Sequence, residues 1–346
     1  MTKRVLAGGV AIGGGAKVTI QSMTNTDTRD AQATLQQIRR LCDAGCEIVR
    51  VSVYDEICAS NVRLLVDESP VPIVADIHFD YKLAIRSLEN GISKVRINPG
   101  NIGGEENVKR LCDCLKMHHV PVRIGVNSGS VEKDILAKYG GPTPEGLVES
   151  ALGHAKLLEK YGFDDIVLSM KASNVPDTVQ AARLASRICD YPLHIGVTEA
   201  GTPGMGNIKS AIGIGALLLD GIGDTIRVSL TGDPVNEVYA AKDILKAVGL
   251  RNEGINIISC PTCGRTCIPV GEIAEQVRRE TADIQKPLTV AVMGCVVNGP
   301  GEARHADMGV AGGRDGGVLF VKGKPPVSVK GDLARALIDE IRKAVK

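Results

Sequence analysis

Four cysteines in the C-terminal part of the chain fall within one short window. Cys260-Pro261-Thr262-Cys263 turns two thiols to one side, and Cys295, in Met293-Gly294-Cys295, brings a third from a distant segment. Cys267 is the fourth, and Glu302 follows Cys295 by seven residues. Thiols so spaced suit a soft metal centre. Structural zinc takes four Cys or His ligands, and an iron–sulfur cluster takes four ligands, normally all thiolate. Cys267, Glu302 and His305 are the candidates for the fourth position. A single C-x-x-C is often no more than two small buried hydrophobes, but four cysteines in one window argue for a centre. Spacing does not choose between zinc and iron–sulfur, although the flanks lean toward a cluster. Asn298-Gly299-Pro300-Gly301 is a backbone-rich turn whose N–H groups suit cluster sulfides. Three thiolates plus a carboxylate would leave one iron with a hard, weakly held ligand, which is an opening for chemistry.

A second group of reactive side chains requires a scaffold. Eight short apolar runs, at 18–23, 47–53, 73–78, 94–98, 122–126, 165–170, 193–198 and 225–230, each precede a helical pattern. The helix at 30–43 places Leu35, Ile38, Leu41 and Cys42 on one face, with Gly45 just past its end. Asp80 precedes a helix that stops at Asn90-Gly91, and Asp233-Pro234 supplies a cap and first-turn proline for the last. Eight β-α units over this length predict a TIM (β/α)8 barrel of the α/β class. A doubly wound open sheet is the alternative.

Side chains alternate along a strand, so one parity points into the barrel. That parity reads Arg50 and Ser52, Asp76 and His78, Arg96 and Asn98, Arg123 and Asn127, Ser169 and Lys171, then Glu199, and then Arg227, Ser229 and Thr231. Active sites of this fold lie at the carboxyl ends of the strands. Arg50, Arg96, Arg123 and Lys171 outnumber Asp76 and Glu199 there, which would be costly without a bound anion. Guanidinium forks suit phosphate, and several of them suit a diphosphate. One or two of these charges, Arg227 among them, are expected to be structural ion pairs. The Gly201-Thr202-Pro203-Gly204 loop leads into a helix where barrels often hold phosphate, a weak signal alone. His78 suits either acid–base work or a structural bond to Asp76. His118, His119, His154 and His194 carry no assigned role. Cys42, Cys46, Cys58, Cys112, Cys114 and Cys189 sit in element patterns and read as packing residues.

The bulk properties exclude several classes. Net charge is +1, with no Trp and three Phe, which argues against a nucleic-acid surface. No apolar run reaches membrane-spanning length. Ten cysteines without a convincing signal peptide predict a reducing, cytoplasmic setting. The barrel is expected over residues 1–250. A small α+β domain is expected over 255–346, with a helix at 270–280, a strand at 288–293, a strand around 318–321 and a closing helix at 332–345. That domain is expected to bury little core alone and to draw stability from a metal.

The runs Gln21-Ser22-Met23-Thr24-Asn25-Thr26, Ala75-Asp76-Ile77-His78-Phe79, Arg96-Ile97-Asn98-Pro99-Gly100-Asn101, Arg123-Ile124-Gly125-Val126-Asn127, Gly196-Val197-Thr198-Glu199-Ala200-Gly201 and Gly294-Cys295-Val296-Val297-Asn298-Gly299-Pro300-Gly301-Glu302 carry a resemblance over nearly the whole chain. They closely resemble the 4-hydroxy-3-methylbut-2-enyl diphosphate synthases, iron–sulfur enzymes of the methylerythritol phosphate route to isoprenoids, in their shorter bacterial form. The resemblance implies a two-electron reductive opening of a cyclic diphosphate with loss of water. It implies a [4Fe–4S] cluster on Cys260, Cys263, Cys295 and Glu302, with Glu302 yielding its iron to substrate. It implies that Arg50, Arg96, Arg123 and Lys171 hold the diphosphate, with Asn127, Ser229 and His78 assisting and Glu199 as an acid near the reacting carbons. Reduced flavodoxin or ferredoxin would be the electron donor. The family's homodimer sets one subunit's cluster domain over the other's barrel. Cys267 departs from many members and is a rival fourth ligand. Two other readings remain at this point: a zinc-stabilised barrel lyase acting on a sugar phosphate, and a non-enzymatic electron carrier or cluster scaffold.

Overall fold

The computed structural model describes residues 1–98, 100–295, 305–313 and 316–346. The chain divides into two compact units, Met1–Leu250 and Arg251–Lys346.

The first unit begins with an antiparallel hairpin, β1 (Arg4–Ala7) and β2 (Val10–Gly13). Gly8 and Gly9 turn it with φ of +53° and +88°, values that side chains resist. Val5, Ala7 and Ile12 of the hairpin pack on Ile48, Val74 and Val167 of the barrel strands and close the interior from below. The sequence pattern gave no element here, because the strands are four residues long and their turn glycines break the alternation.

The eight expected strands are all present: β3 (Thr19–Met23), β4 (Ile48–Ser52), β5 (Ile73–Asp76), β6 (Lys94–Ile97), β7 (Val122–Asn127), β8 (Ile166–Lys171), β9 (His194–Ile195) and β10 (Thr225–Ile226). They are parallel, in the order β8-β7-β6-β5-β4-β3-β10-β9. A parallel bridge between Leu168 and Leu193 joins the two ends of that order and closes the ring. β9 and β10 are shorter than the expected 193–198 and 225–230. Their backbones remain close through the Arg227 N–H to Ile195 carbonyl bond, 3.1 Å. A Cβ on Gly196 would stand 2.3 Å from the Arg227 carbonyl oxygen, so only glycine fits that approach.

Short polar caps start the barrel helices. Asp30 accepts from the Ala33 N–H, Asp55 from Cys58, Asp80 from Lys82, Thr143 from Gly146 and Asn174 from Asp177. Each such cap stabilises its helix by about 1 kcal/mol. Helix α1 (Ala31–Ala44) buries Leu35, Ile38 and Leu41 and ends at Gly45, φ +104°. The last barrel helix spans Val235–Ala247, with Pro234 at the cap position rather than inside the first turn. Asp233 still caps it through the Val235 N–H, 3.1 Å.

Among the described residues, the second unit has a five-stranded sheet and two helices. β11 (Ile255–Ser259), β12 (Leu288–Met293) and β13 (Met308–Gly313) are parallel, while β14 (Gly316–Val321) and β15 (Val327–Val329) continue antiparallel. The helices Val270–Glu280 and Leu333–Val345 match the expected ones closely. The expectation of a scant core does not hold. Val277, Val290, Val292, Val310, Leu337 and Ile341 form the centre of a cluster buried between sheet and helices. β13 and β15 escaped the sequence pattern. Among the described residues no helix is long and apolar enough to cross a membrane.

Candidate functional site

The inward parity of the barrel strands converges at one level. Ser52 neighbours Asp76 across β4 and β5, Asp76 neighbours Arg96, and Arg96 neighbours Arg123 on β7. One step nearer the rim, Asn127 neighbours Lys171. Arg50, Asp76, Arg96, Asn98, Arg123, Ser169 and Lys171 are all buried, as the reading of the strand ends required.

Their hydrogen bonds show which charges are answered. Arg96 donates to Asp76 Oδ1 at 3.0 Å, to the Gly125 carbonyl at 3.1 Å and to His78 Nε2 at 3.2 Å. Arg50 Nε lies 3.5 Å from Asp76 Oδ2, and its guanidinium contacts the Met23 thioether at 2.9 and 3.1 Å. Asp76 therefore answers two arginines. Arg227 is bound by Glu237 at 3.2 and 3.3 Å, and Glu237 also accepts from Ser22 and the Leu230 N–H. Arg227 is thus the structural ion pair expected of it. Among the described residues no carboxylate lies within ion-pair distance of Lys94, Arg123 or Lys171.

That imbalance is electrostatically severe. Among the described residues, Asp76 and Glu237 are the buried carboxylates set against Arg50, Lys94, Arg96, Arg123, Lys171 and Arg227. Burial and neighbouring cations push Arg50 down to about 10 and push Arg123 and Lys171 well below their ordinary values. Burial alone would raise Asp76. Arg50, the His78 hydrogen bond, Arg96 and Arg123 outweigh it and hold the carboxyl far below the usual range. Arg96 Nε, with Arg123 Nε and Nη1, are buried donors without a partner. Buried donors left unmade cost about 1–3 kcal/mol each. An anion with several oxygens answers the charge and the donors together.

Two interior groups were not singled out from sequence. Lys94, at the start of β6, is 0% exposed and makes one long bond to Gln21 Oε1, 3.4 Å. His194 of β9 is buried with neither ring nitrogen bonded. Lys94 shares the parity of Arg96, a signal that was legible. His194 was seen only as a mid-strand residue.

The rim carries the remaining candidates. His78 is half exposed, 3.6 Å from Asp76 Oδ2. Asn127 caps a short 3-10 turn, its backbone N–H bonded to Ser130 Oγ at 3.0 Å. Ser229 is partly buried. Glu199 is exposed, with φ of +49°. A left-handed residue that is neither glycine nor asparagine is uncommon and tends to occur at functional positions. The loop after β9 opens the helix Pro203–Leu219, whose first turn has no acidic residue. Gly125 makes room for the arginines: a Cβ there would stand 2.7 Å from Arg96 Nε.

In the second unit, Cys260 and Cys295 follow the neighbouring parallel strands β11 and β12. The Gly294 N–H donates to Cys260 Sγ at 3.0 Å, and the Cys267 N–H donates to the Gly294 carbonyl at 2.8 Å. Both cysteine loops therefore meet at the carboxyl ends of β11 and β12. Cys263 and Cys267 are exposed, and the Arg265 N–H draws the Cys263 thiol down toward thiolate. Among the described residues no three His, Cys, Asp or Glu side chains gather closely enough to hold a metal. Glu302 and the Asn298–Gly301 turn lie outside the described residues. By contrast, burial pushes the packing thiols Cys42 and Cys112 up to about 11 and Cys46 up to about 12.

Comparison with known proteins covers both units. The GcpE TIM-barrel domain model matches residues 2–242, and the GcpE protein C-terminal domain model matches residues 256–345. The chain is 58% identical over 347 residues to the 4-hydroxy-3-methylbut-2-en-1-yl diphosphate synthase (flavodoxin) of Caldanaerobacter subterraneus subsp. tengcongensis, covering 100% of this chain and 98% of the relative. It is 57% identical to the protein of the same name from Geobacter sulfurreducens, covering 99% and 97%. Among solved structures, the dihydropteroate synthase of Yersinia pestis aligns with a TM-score of 0.50 at 14% identity, covering 71% of this chain and 98% of that one, a likeness of fold alone.

Proposed function

The chain belongs to the GcpE family along both of its domains, and on that premise we propose how its residues divide the family's work. The reaction is the reductive opening of 2-C-methyl-D-erythritol 2,4-cyclodiphosphate to 4-hydroxy-3-methylbut-2-enyl diphosphate with loss of water, driven by electrons from reduced flavodoxin. The observation that carries the assignment of roles is the uncompensated cationic interior. Arg50, Arg96, Arg123 and Lys171 hold the diphosphate, and the unpartnered Arg96 and Arg123 nitrogens are the donors its oxygens fill. Asn127, Ser229 and His78 add hydrogen bonds from the rim. Glu199 works as an acid near the reacting carbons, and its left-handed backbone supports that role.

Cys260, Cys263 and Cys295 are three ligands of a [4Fe–4S] cluster, with Glu302 as the fourth. The donor set fits. Two cysteine loops meet at the carboxyl ends of β11 and β12, a backbone N–H already serves the Cys260 sulfur, and the Cys263 thiol is drawn down toward thiolate. When bound, the cluster supplies single electrons, and a carboxylate ligand gives way more readily than a thiolate. The chain's own task is to fix the diphosphate, exclude water from the arginine layer and present an acid at the rim. A cytoplasmic setting accords with ten cysteines that must stay reduced or metal-bound.

The working form is a homodimer in which one subunit's cluster domain serves the other's barrel. Supporting it, the helix Pro203–Leu219 leaves Met205, Ile208, Ile212 and Leu219 exposed along one stripe. Such a face on a surface helix calls for a partner. The zinc-lyase and electron-carrier readings receive no comparable support. The roles are tested by titrating the anaerobic protein and Arg123→Ala with the cyclic diphosphate. Binding should weaken by about 1.5–3 kcal/mol in the variant, the scale of hydrogen bonds to a charged group. Unchanged binding means the anion sits elsewhere.

A further inference from the structure

Beneath the arginines of the mouth, the barrel interior holds a lysine with no counter-charge among the described residues. Lys94 lies two residues before Arg96 on β6, on the same face and one layer deeper. It is fully buried, and its one hydrogen bond, to Gln21 Oε1, is long at 3.4 Å. The charges acting on it come from Arg123 on β7 and Arg50 on β4, both cations. His194 on β9 lies within the same field, to which Lys171 on β8 adds. The other ionisable groups of the interior are Asp76, Arg96, Arg227 and Glu237. Asp76 is engaged by Arg50, Arg96 and His78, and Glu237 by Arg227. An ammonium among such neighbours, out of water, costs several kcal/mol. Burial, Arg123 and Arg50 therefore weaken the amine's hold on its proton in the free protein, well below that of an ordinary lysine.

The surroundings are nonetheless built to receive a proton. Gln21 Oε1 already faces the amine, and both ring nitrogens of His194 are buried without partners. What is missing is negative charge, and the proposed diphosphate would deliver it to the layer directly above. We propose that Lys94 is a proton-accepting positioning residue: it takes one proton from solvent when the diphosphate settles on Arg123 and Lys171, and the resulting ammonium helps hold the anion. This rests on the diphosphate site proposed at the mouth. The ligand supplies no proton itself. In a cyclic diphosphate each phosphorus carries one strongly acidic hydroxyl, ionised throughout the neutral range.

The sign follows from linkage. The bound-state value of Lys94 lies above its free-state value, so uptake occurs between the two and vanishes outside them. Affinity falls as pH rises through that window, because coupling is reciprocal.

The test is calorimetry of the anaerobic holoenzyme with the cyclic diphosphate at about pH 8, above the ordinary range of histidine near 6.5. Two buffers of different ionisation enthalpy are used, so that the heat difference counts protons. The wild type should take up about one proton per ligand. Lys94→Met should take up essentially none and bind about tenfold more weakly, with its affinity no longer falling as pH rises. His194→Gln should keep the uptake. Absence of uptake in the wild type, or equal uptake in Lys94→Met, overturns the inference while the diphosphate site stands. Loss of uptake in His194→Gln alone places the proton on His194 and overturns it equally. The wild-type measurement decides even if Lys94→Met fails to fold. Absence of any binding heat overturns the diphosphate site and this inference together.

Discussion

At the scale of residues, three buried guanidinium nitrogens, Arg96 Nε and Arg123 Nε and Nη1, stand ready without a partner among the described residues. Gly125 is the clearest small test of that readiness. Its φ does not lie in the left-handed region, so alanine suits the backbone, but the added methyl would stand 2.7 Å from Arg96 Nε. Gly125→Ala should leave thermal stability within a few degrees and raise KM about tenfold, because the side-chain end of Arg96 can move aside while its aim is lost. Asp76 makes the opposite prediction. Its folded-state value is depressed below the unfolded one, so its stabilisation is complete above about pH 4 and is lost as pH falls through the lower value. Asp76→Asn leaves Arg50 and Arg96 unanswered and should cost about 3–5 kcal/mol at pH 7, measured by urea unfolding. Most of this layer was legible in the sequence, because strand parity alone names Arg50, Asp76, Arg96, Arg123 and Lys171. Lys94 shares that parity but opens its strand, where a charge ordinarily reads as a solvated edge. Glu237 lies on a helix, and only the fold turns it onto Arg227.

At the scale of elements, local chemistry announces most boundaries. Asp30, Asp55 and Asp80 each cap the helix that follows, and α1 stops at a left-handed Gly45. The hairpin Arg4–Gly13 was not legible, since its reason for existing is tertiary: it covers the lower end of a barrel that its own residues do not announce. Ile12 is fully buried there, and Ile12→Ala should cost about 2–5 kcal/mol in denaturant unfolding without changing the mouth. The helix Pro203–Leu219 carries the proposed dimer. Ile208→Glu combined with Ile212→Glu should shift sedimentation from dimer to monomer while the far-ultraviolet dichroism of the barrel stays unchanged. A dimer that persists moves the interface elsewhere.

At the scale of the molecule, the chain falls into two compact units, Met1–Leu250 and Arg251–Lys346, and the sequence pattern changes after Gly249. The second unit was read less completely. Met308–Gly313 contains three glycines and looks like a turn, yet it is a central strand. Gly309 is required there, because a Cβ would stand 2.3 Å from the Ala291 carbonyl oxygen and 2.5 Å from Phe320. Its core of Val277, Val292, Leu337 and Ile341 also means that iron removal should bleach the protein without unfolding this unit, checked by dichroism before and after chelation. The central claim is that a cyclic diphosphate held by the barrel reacts at a cluster held by Cys260, Cys263 and Cys295. The most direct measurement is paramagnetic resonance of the reduced, anaerobically prepared protein during titration with the cyclic diphosphate, with iron and sulfide assayed on the same sample. The account predicts four irons per chain and a cluster signal that changes as substrate is added. Zinc in place of iron, or a cluster signal indifferent to saturating substrate, would contradict it.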